Sequence, residues 1–262
     1  MERLIALLSV VSSVALADPA RIEQLTGAKG KLDEKEGVFK VSVPRSDLKP
    51  VAGGVHLTPP MGLTTWAAFM PSEAGSMEVT ALHNHFFWDS PKIMFMHIGG
   101  MGEQAKLATA VGKLFAKIKE TQGGKDEPPP AEIDPAKTSL DPTKIDGALG
   151  RKGQLAGGVY KVTIGRTTKM AGHEIGSAMG VNTWAAFAGS DDQAVVDGDF
   201  AMYEQEVQGV LKALRRAGIS VVAIHNHMIG ESPRVIFLHF WGVGSSTILA
   251  AGLKAALQVQ GL

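Results

Sequence analysis

The chain has 262 residues, and its 26 Lys and Arg side chains are balanced by 26 Asp and Glu side chains. This balance excludes an overall field that would draw the protein to nucleic acid or to an anionic membrane. Cysteine is absent, which excludes disulfides, thiolate nucleophiles and cysteine-based zinc sites. Any bound metal ion would have to be held by histidine, carboxylate or water.

Residues 1–17 are typical of a secretory signal peptide. An apolar run at 4–16 ends in Ala15-Leu16-Ala17, which fits an Ala-x-Ala cleavage site. The run is too short to span a membrane, and no later run is long enough. The alternative is a buried N-terminal helix. We expect an exported protein, periplasmic or secreted, that is soluble after signal cleavage and has no integral membrane segment.

After the signal, the chain is predicted to contain two repeats, at 18–122 and 148–262. The segment GVFKV recurs as GVYKV, and TWAAF occurs in both halves; these segments are rich in β-branched and aromatic residues and predict strands. Their positions are 37–41 and 158–162 for the first pair, and 65–69 and 183–187 for the second. Residues 123–147 contain three consecutive prolines and predict an extended linker.

A histidine motif then occurs once in each repeat. An Ala-x-His-Asn-His segment is followed by an acidic residue, a Ser-Pro pair and a third histidine, which lies 14 positions after the first histidine in both copies. The motif residues are His83, His85, Asp89 and His97 in the first copy, and His225, His227, Glu231 and His239 in the second. Each copy predicts a β-hairpin, at 79–98 and at 219–241. Two further histidines, His56 and His173, also occupy matching positions.

The second repeat contains a segment that the first repeat lacks. Trp184 and His225 are 41 positions apart, whereas the equivalent Trp66 and His83 are 17 apart, a difference of 24 residues. Within this extra segment we predict a strand at 193–196, a turn with a helix N-cap at 197–199 (Asp-Gly-Asp), and a helix at 202–216.

Each repeat is predicted to close with a helix, at 103–118 in the first and after Ser245 or Ser246 in the second. We therefore expect an α+β fold that is internally duplicated. Two antiparallel sheets, each backed by helices, would pack about a pseudo-twofold axis, and the first repeat would lack one strand-helix unit.

The spacing of the motif predicts a metal site in each repeat. Side chains alternate along a strand, so His83 and His85 would share one sheet face. A loop centred on Ser90 would place His97 opposite His83, whereas a shift of one residue would turn His97 away. With the favourable register, three imidazoles could hold zinc, copper, iron, manganese or nickel.

The predicted ligands are the six motif histidines, and an acidic residue of each motif could add a carboxylate or act as acid or base. The ligands are His83, His85 and His97 in one repeat and His225, His227 and His239 in the other, with Asp89 and Glu231 as the acids. The implied partner is a metal ion or a small molecule, with no nucleic acid.

Other interpretations remain open. The letters His-Asn-His also occur in the name of the HNH nucleases, but those nucleases disperse the three residues, and no basic character supports DNA binding here. The spacing from His225 to Glu231 resembles the first cupin motif, so a cupin-like metal-dependent enzyme is an alternative. A third interpretation is a non-catalytic binding module whose histidines only bond to backbone within a sheet.

Several of these motifs together resemble the LppY/LpqO family of bacterial exported proteins. They are the segments at 37–45, 59–62, 65–67, 81–85 and 95–97, and the block at 158–241 fits as well. The resemblance implies that the protein is exported. It implies no particular activity, because none is established for the family. The founding members resemble lipoproteins, but this chain has no cysteine to acylate. Family members also have a strand and a helix before the first His-Asn-His, where this chain lacks 24 residues.

Overall fold

The computed structural model describes residues 18–70, 77–120 and 131–262. The predicted signal peptide lies outside the described residues. Within the described ranges the chain forms five α-helices: α1 Pro19–Thr26, α2 Gln104–Glu120, α3 Pro142–Leu149, α4 Val207–Arg216 and α5 Ser246–Val259. The described part of the chain contains no helix that is both long and apolar enough to cross a membrane.

Both halves are rich in short antiparallel strands. The strands of the first half are β1 Gly30–Asp33, β2 Val38–Pro44, β3 Val51–Ala52, β4 Val55–His56, β5 Thr64–Phe69, β6 Met77–His83, β7 Asp89–Ser90 and β8 Phe95–Gly100. Those of the second half are β9 Gln154–Ala156, β10 Val159–Gly165, β11 Thr168–Met170, β12 His173–Ile175, β13 Asn182–Gly189, β14 Ala194–Tyr203, β15 Ser220–His225 and β16 Val235–Gly244. The α+β class and the duplication are confirmed.

The second half is built on one six-stranded antiparallel sheet, ordered β15-β16-β14-β13-β10-β9. One face of this sheet packs against α3, α4 and α5 in a core that includes Phe187, Phe200, Leu214 and Leu253. The alternation of side chains along each strand leaves the opposite face free to meet the first half.

The first half contains the same strand pairs, but they form two separate sheets. The sheet β1-β2-β5 corresponds to β9-β10-β13, and the hairpin β6-β8 corresponds to β15-β16. In the second half β14 joins these two groups, and the described residues of the first half include no strand in that place. Helices α1 and α2 cover the three-stranded sheet through Ile22, Phe39, Val111 and Phe115. The missing strand-helix unit therefore divides one sheet into two.

The predicted turn at Asp197-Gly198-Asp199 is wrong, because all three residues lie inside β14. Asp197 pairs with Ala186 and Trp241, and Asp199 pairs with Trp184 and His239, so both carboxylates are on the face that meets the first half. The predicted helix at 202–216 begins later, at Val207. The Asp199 side chain faces the centre described below, and glycine is required at position 198 because a Cβ there would lie 2.2 Å from the Trp184 carbonyl oxygen.

The predicted extended linker is also wrong in part, because residues 142–149 form α3. The Asp141 side chain accepts a hydrogen bond from the Thr143 N–H, and Gly150 closes the helix with a φ of 77°. The same arrangement starts the first half, where Asp18 caps α1 and Gly27 ends it with a φ of 68°. Each half thus begins with a capped helix, and α3 spans the predicted boundary between the linker and the second repeat.

Equivalent contacts in the two halves show that a pseudo-twofold axis relates them. The Lys40 ammonium lies 3.8 Å from the ring centroid of Trp66, and the Lys161 ammonium lies 3.9 Å from that of Trp184. Each tryptophan reaches into the other half: a Cβ added to Gly62 would lie 3.5 Å from Trp184 Cη2, and one added to Gly180 would lie 3.0 Å from Trp66 Cη2. The hairpins β3-β4 and β11-β12 carry His56 and His173 as a similar matched pair.

Candidate metal centre

The two histidine hairpins have a register that differs by two residues from the predicted one. His97 lies opposite Ala81 rather than His83, and His239 lies opposite Ala223; a bulge further along each first strand, between Val79 and Ala81 and between Val221 and Ala223, shifts the pairing beyond these positions. A shift of two residues preserves the face to which a side chain points. The third histidine of each motif therefore lies on the same face as the first, as predicted, but diagonally from it.

The middle asparagine of each motif turns the chain after the strand ends. Asn84 donates a hydrogen bond to the Phe86 carbonyl at 3.0 Å, and Asn226 donates to the Met228 carbonyl at 2.9 Å. Strands β6 and β15 end at the first histidine, so the second histidine of each motif lies beyond the strand rather than on it. These side-chain bonds return the chain towards the sheet face.

Hydrogen bonds also join the two hairpins to each other. Asn226 Nδ2 donates to the Thr80 carbonyl at 3.1 Å, and the Thr80 hydroxyl donates to the His227 carbonyl at 2.7 Å. The first motif is thereby fixed against the second, and the histidines of the two halves meet.

All six motif histidines form one cluster instead of two separate sites. The ring centroids of His83 and His225 are 3.6 Å apart. His85 and His239 are also 3.6 Å apart, and the symmetry-related His227 and His97 are 4.1 Å apart. The two predicted sites are therefore not separated in space: side chains of both halves build a joint centre, hereafter the six-histidine centre.

Aromatic rings enclose this centre on both sides of the pseudo-twofold axis. Phe95 stacks on His85 with a centroid distance of 3.4 Å, and Phe237 stacks on His227 at 3.5 Å. Trp184 and His239 form an edge-to-face pair with a centroid distance of 6.5 Å. Such walls exclude water and raise the strength of any electrostatic interaction inside them.

Burial leaves many of the imidazole nitrogens without hydrogen-bond partners. His83, His85 and His239 are only 8%, 7% and 1% exposed. Seven buried ring nitrogens of the centre have no partner among the described residues: both of His83, both of His85, Nε2 of His97, Nδ1 of His225 and Nε2 of His239. Since buried polar atoms are nearly always paired in folded proteins, this concentration makes the cluster a candidate ligand site.

The ring nitrogens and one carboxylate form three groups with metal-ligand geometry. In each group the ligand atoms lie within 4.8 Å of one another. The groups are His83, His85 and His239; His83, His97 and His225; and Asp199, His225 and His227. Two of the three combine histidines of both halves.

Asp199 is the site residue that the sequence pattern missed. Its Oδ2 lies 3.6 Å from His227 Nε2 and 3.7 Å from His239 Nε2. The Leu238 N–H donates to its Oδ1 at 3.0 Å and orients the carboxylate. The Gly198 carbonyl lies 3.2 Å from Nδ1 of His239, which favours a proton on Nδ1 and leaves Nε2 free as a ligand atom.

Burial sets the protonation of the centre. It lowers the pKa of His83 and of His97 to about 4 and that of His225 to about 2, with neighbouring imidazoles adding to the effect for His97 and His225. Burial likewise holds the pKa values of His85, His227 and His239 well below the usual range. At neutral pH the imidazoles are therefore neutral, which is the form that binds metal ions.

The two carboxylates predicted from the motifs do not join the centre. Asp89 lies in β7, where it accepts hydrogen bonds from the Ile93 N–H and from Lys92. Glu231 is buried and accepts from the Val235 N–H. Neither belongs to a group of metal-ligand geometry among the described residues. Both acids bond to backbone N–H groups four residues ahead, so the structure supports a role in shaping the hairpin loops.

The fold and the centre together define a duplicated α+β protein with a histidine-rich site between its repeats. The chain belongs to the family described as Domain of Unknown Function (DUF1259), whose model matches residues 20–77, 72–117 and 143–259. The match to the first half divides at 72–77, in the stretch between Trp66 and His83 that is 24 residues shorter than its equivalent in the second repeat. No curated protein and no solved structure matches the chain significantly.

Proposed function

We propose that this protein binds a transition-metal ion between its two repeats, through imidazoles supplied by both. The observation that carries the proposal is the meeting of both histidine hairpins in one buried centre with seven unpaired ring nitrogens. An unpaired buried polar group costs about 1–3 kcal/mol, and a metal ion bound by one nitrogen of an imidazole would remove that cost for that nitrogen. Zinc, copper, iron and manganese remain the candidates, and imidazole-rich sites favour the first three.

The main alternative is a structural role for the histidines. Structural histidines bond to backbone groups, as His239 does through Nδ1, and such bonding would use the ring nitrogens that are unpaired here. The cupin-like alternative has less support, because cupins are two-sheet jelly rolls and the six-stranded sheet is backed by helices. Export, which the composition of 1–17 and the LppY/LpqO resemblance favour, is part of the proposal.

Thermal unfolding with and without metal tests the proposal. Protein prepared without a polyhistidine tag is treated with a chelator and then given Zn²⁺, Cu²⁺, Fe²⁺ or Mn²⁺ in turn. A ligand at 100 times its Kd stabilises the native state by about 2.7 kcal/mol, which corresponds to roughly 5–10 °C for a chain of this size.

The matched variants separate the centre from adventitious binding. A double variant, His83→Gln with His225→Gln, removes one ligand from each repeat and should lose the shift. The variant His173→Gln lies outside the centre and should keep it. The proposal fails if no metal raises the unfolding temperature, or if the double variant responds as the unchanged protein does.

A further inference from the structure

Two of the three ligand groups of the six-histidine centre have no member in common, whereas the third group, His83, His97 and His225, overlaps both. The first set is His83, His85 and His239, and the second is Asp199, His225 and His227. Within each set the ligand atoms lie within 4.8 Å of one another. An ion held by one set therefore leaves three complete ligands for another ion.

The pseudo-twofold axis gives an independent reason for two ions. It relates His83 to His225, and these rings stack at 3.6 Å, so the axis passes between them. It relates His85 to His227, which lie on opposite sides of the axis and each stack on the phenylalanine of their own hairpin. A site that includes His85 lies off the axis, so the axis predicts a second site that includes His227. The strict counterpart of the first set would be His225, His227 and His97, and the described structure groups His225 and His227 with Asp199 instead of His97.

We propose that the centre holds two transition-metal ions side by side, an inference that rests on the metal binding proposed above. The first ion is bound by the set that contains His85, and the second by the set that contains His227. The third histidine of the first repeat, His97, has its ring 4.1 Å from His227 and is available as a further ligand of the second ion.

The distances within the second set fit a metal ion. His225 Nε2 and His227 Nε2 are 3.1 Å apart, and Asp199 Oδ2 is 3.6 Å from His227 Nε2. Metal–nitrogen bonds of about 2.0–2.1 Å at a tetrahedral ion place neighbouring ligand atoms about 3.3 Å apart. The second set therefore needs only small movements to close around an ion.

The two ions are not equivalent, because Asp199 has no counterpart among the described residues of the first half. It lies on β14, the strand that only the second half contains within those residues. The first ion meets three neutral imidazoles. The second meets two imidazoles and a carboxylate, a ligand combination that also suits harder ions such as Fe²⁺ and Mn²⁺. The missing strand of the first repeat thus distinguishes the two sites.

Metal stoichiometry of the unchanged protein is the first test and requires no variant. Chelator-treated, tag-free protein is titrated with Zn²⁺ by calorimetry, and its metal content after dialysis is measured by mass spectrometry. We expect two ions per chain with different affinities. No bound ion would overturn both this inference and the proposed function, whereas a single ion would overturn the two-ion inference and leave metal binding intact.

Three variants assign the ions to their ligands. His85→Gln and its symmetry counterpart His227→Gln should each lose one ion and keep the other, and the retained ion shows that the variant is folded. Asp199→Asn should weaken one of the two affinities about tenfold or more and leave the other unchanged.

Other outcomes would overturn specific parts of the inference. If His85→Gln and His227→Gln both lose all metal while their circular dichroism remains native, the ligands serve one shared ion. If Asp199→Asn changes neither affinity, the carboxylate is not a ligand and the two sites are equivalent.

Discussion

Acidification should destabilise the metal-free protein, and the size of the effect follows from the buried imidazoles. A histidine whose pKa is lowered in the native state binds fewer protons there than in the unfolded chain. Its contribution to stability is complete above the unfolded pKa near 6.5 and is lost as the pH falls towards the native pKa. The window for His83 and His97 is therefore about pH 6.5 to 4.

The magnitude can be worked out for these two residues. At pH 5 each is about 1.5 pH units below the unfolded pKa, which corresponds to about 2 kcal/mol for each residue and about 4 kcal/mol for both. Burial raises the pKa of Asp197 and Asp199, which opposes the loss because the native state then holds protons that the unfolded state releases. The other four imidazoles of the centre act in the same direction as His83 and His97, so the net loss remains.

Urea unfolding followed by far-ultraviolet circular dichroism at pH 5, 6 and 7, with a chelator present, measures this effect. The free energy of unfolding should fall with pH, and its slope should correspond to net proton uptake on unfolding. The variant His83→Gln with His97→Gln should show a smaller slope. A free energy of unfolding that is flat or rises between pH 7 and pH 5 would refute the burial of neutral imidazoles.

Two other features of the fold give further predictions. Burial and the charge of Lys161 lower the pKa of Lys40 to about 8, so Lys40→Met should stabilise the protein by about 1–2 kcal/mol at pH 7 in urea unfolding, after the lost cation–π contact is subtracted. Burial lowers the pKa of Lys161 as well, but Asp197 and Asp199 oppose that shift, so Lys161→Met should give a smaller gain; a larger gain from Lys161→Met would contradict this difference. Gly198→Ala would place a Cβ 2.2 Å from the Trp184 carbonyl oxygen and should destabilise the protein by several kcal/mol. A Cβ added to Gly147 in α3 would meet no neighbouring atom within 4 Å, so Gly147→Ala should be neutral or stabilise the protein by up to about 1 kcal/mol. Equal unfolding temperatures for the two alanine variants would contradict the close strand packing.

Local signals in the sequence were sufficient for much of the fold. Strands, hairpins and the closing helices follow from residue periodicity, and the 24-residue difference between the repeats correctly indicated the missing strand and helix. The α3 helix carried a readable signal as well, since Asp141-Pro142 and Gly150 repeat the Asp18-Pro19 and Gly27 of α1. Proximity to the proline-rich segment made the region resemble a linker.

The composition of the centre depended on contacts that no local pattern contains. The six histidines were predicted, but their meeting in one cluster is set by packing between the repeats, as in the Asn226 bond to Thr80. Asp199 was missed because Asp-Gly-Asp is typical of turns, and only its position opposite His239 in the sheet reveals its role. The register of each hairpin and the bulge in its first strand are likewise features of the assembled hairpins.

The most direct test of the central claim is a crystal structure of the metal-loaded, tag-free protein, with diffraction recorded on both sides of the metal absorption edge. Metal binding between the repeats predicts anomalous density inside the six-histidine centre, within bonding distance of imidazoles from both halves. Anomalous density elsewhere, or none under conditions where the solution contains excess metal, would contradict the account.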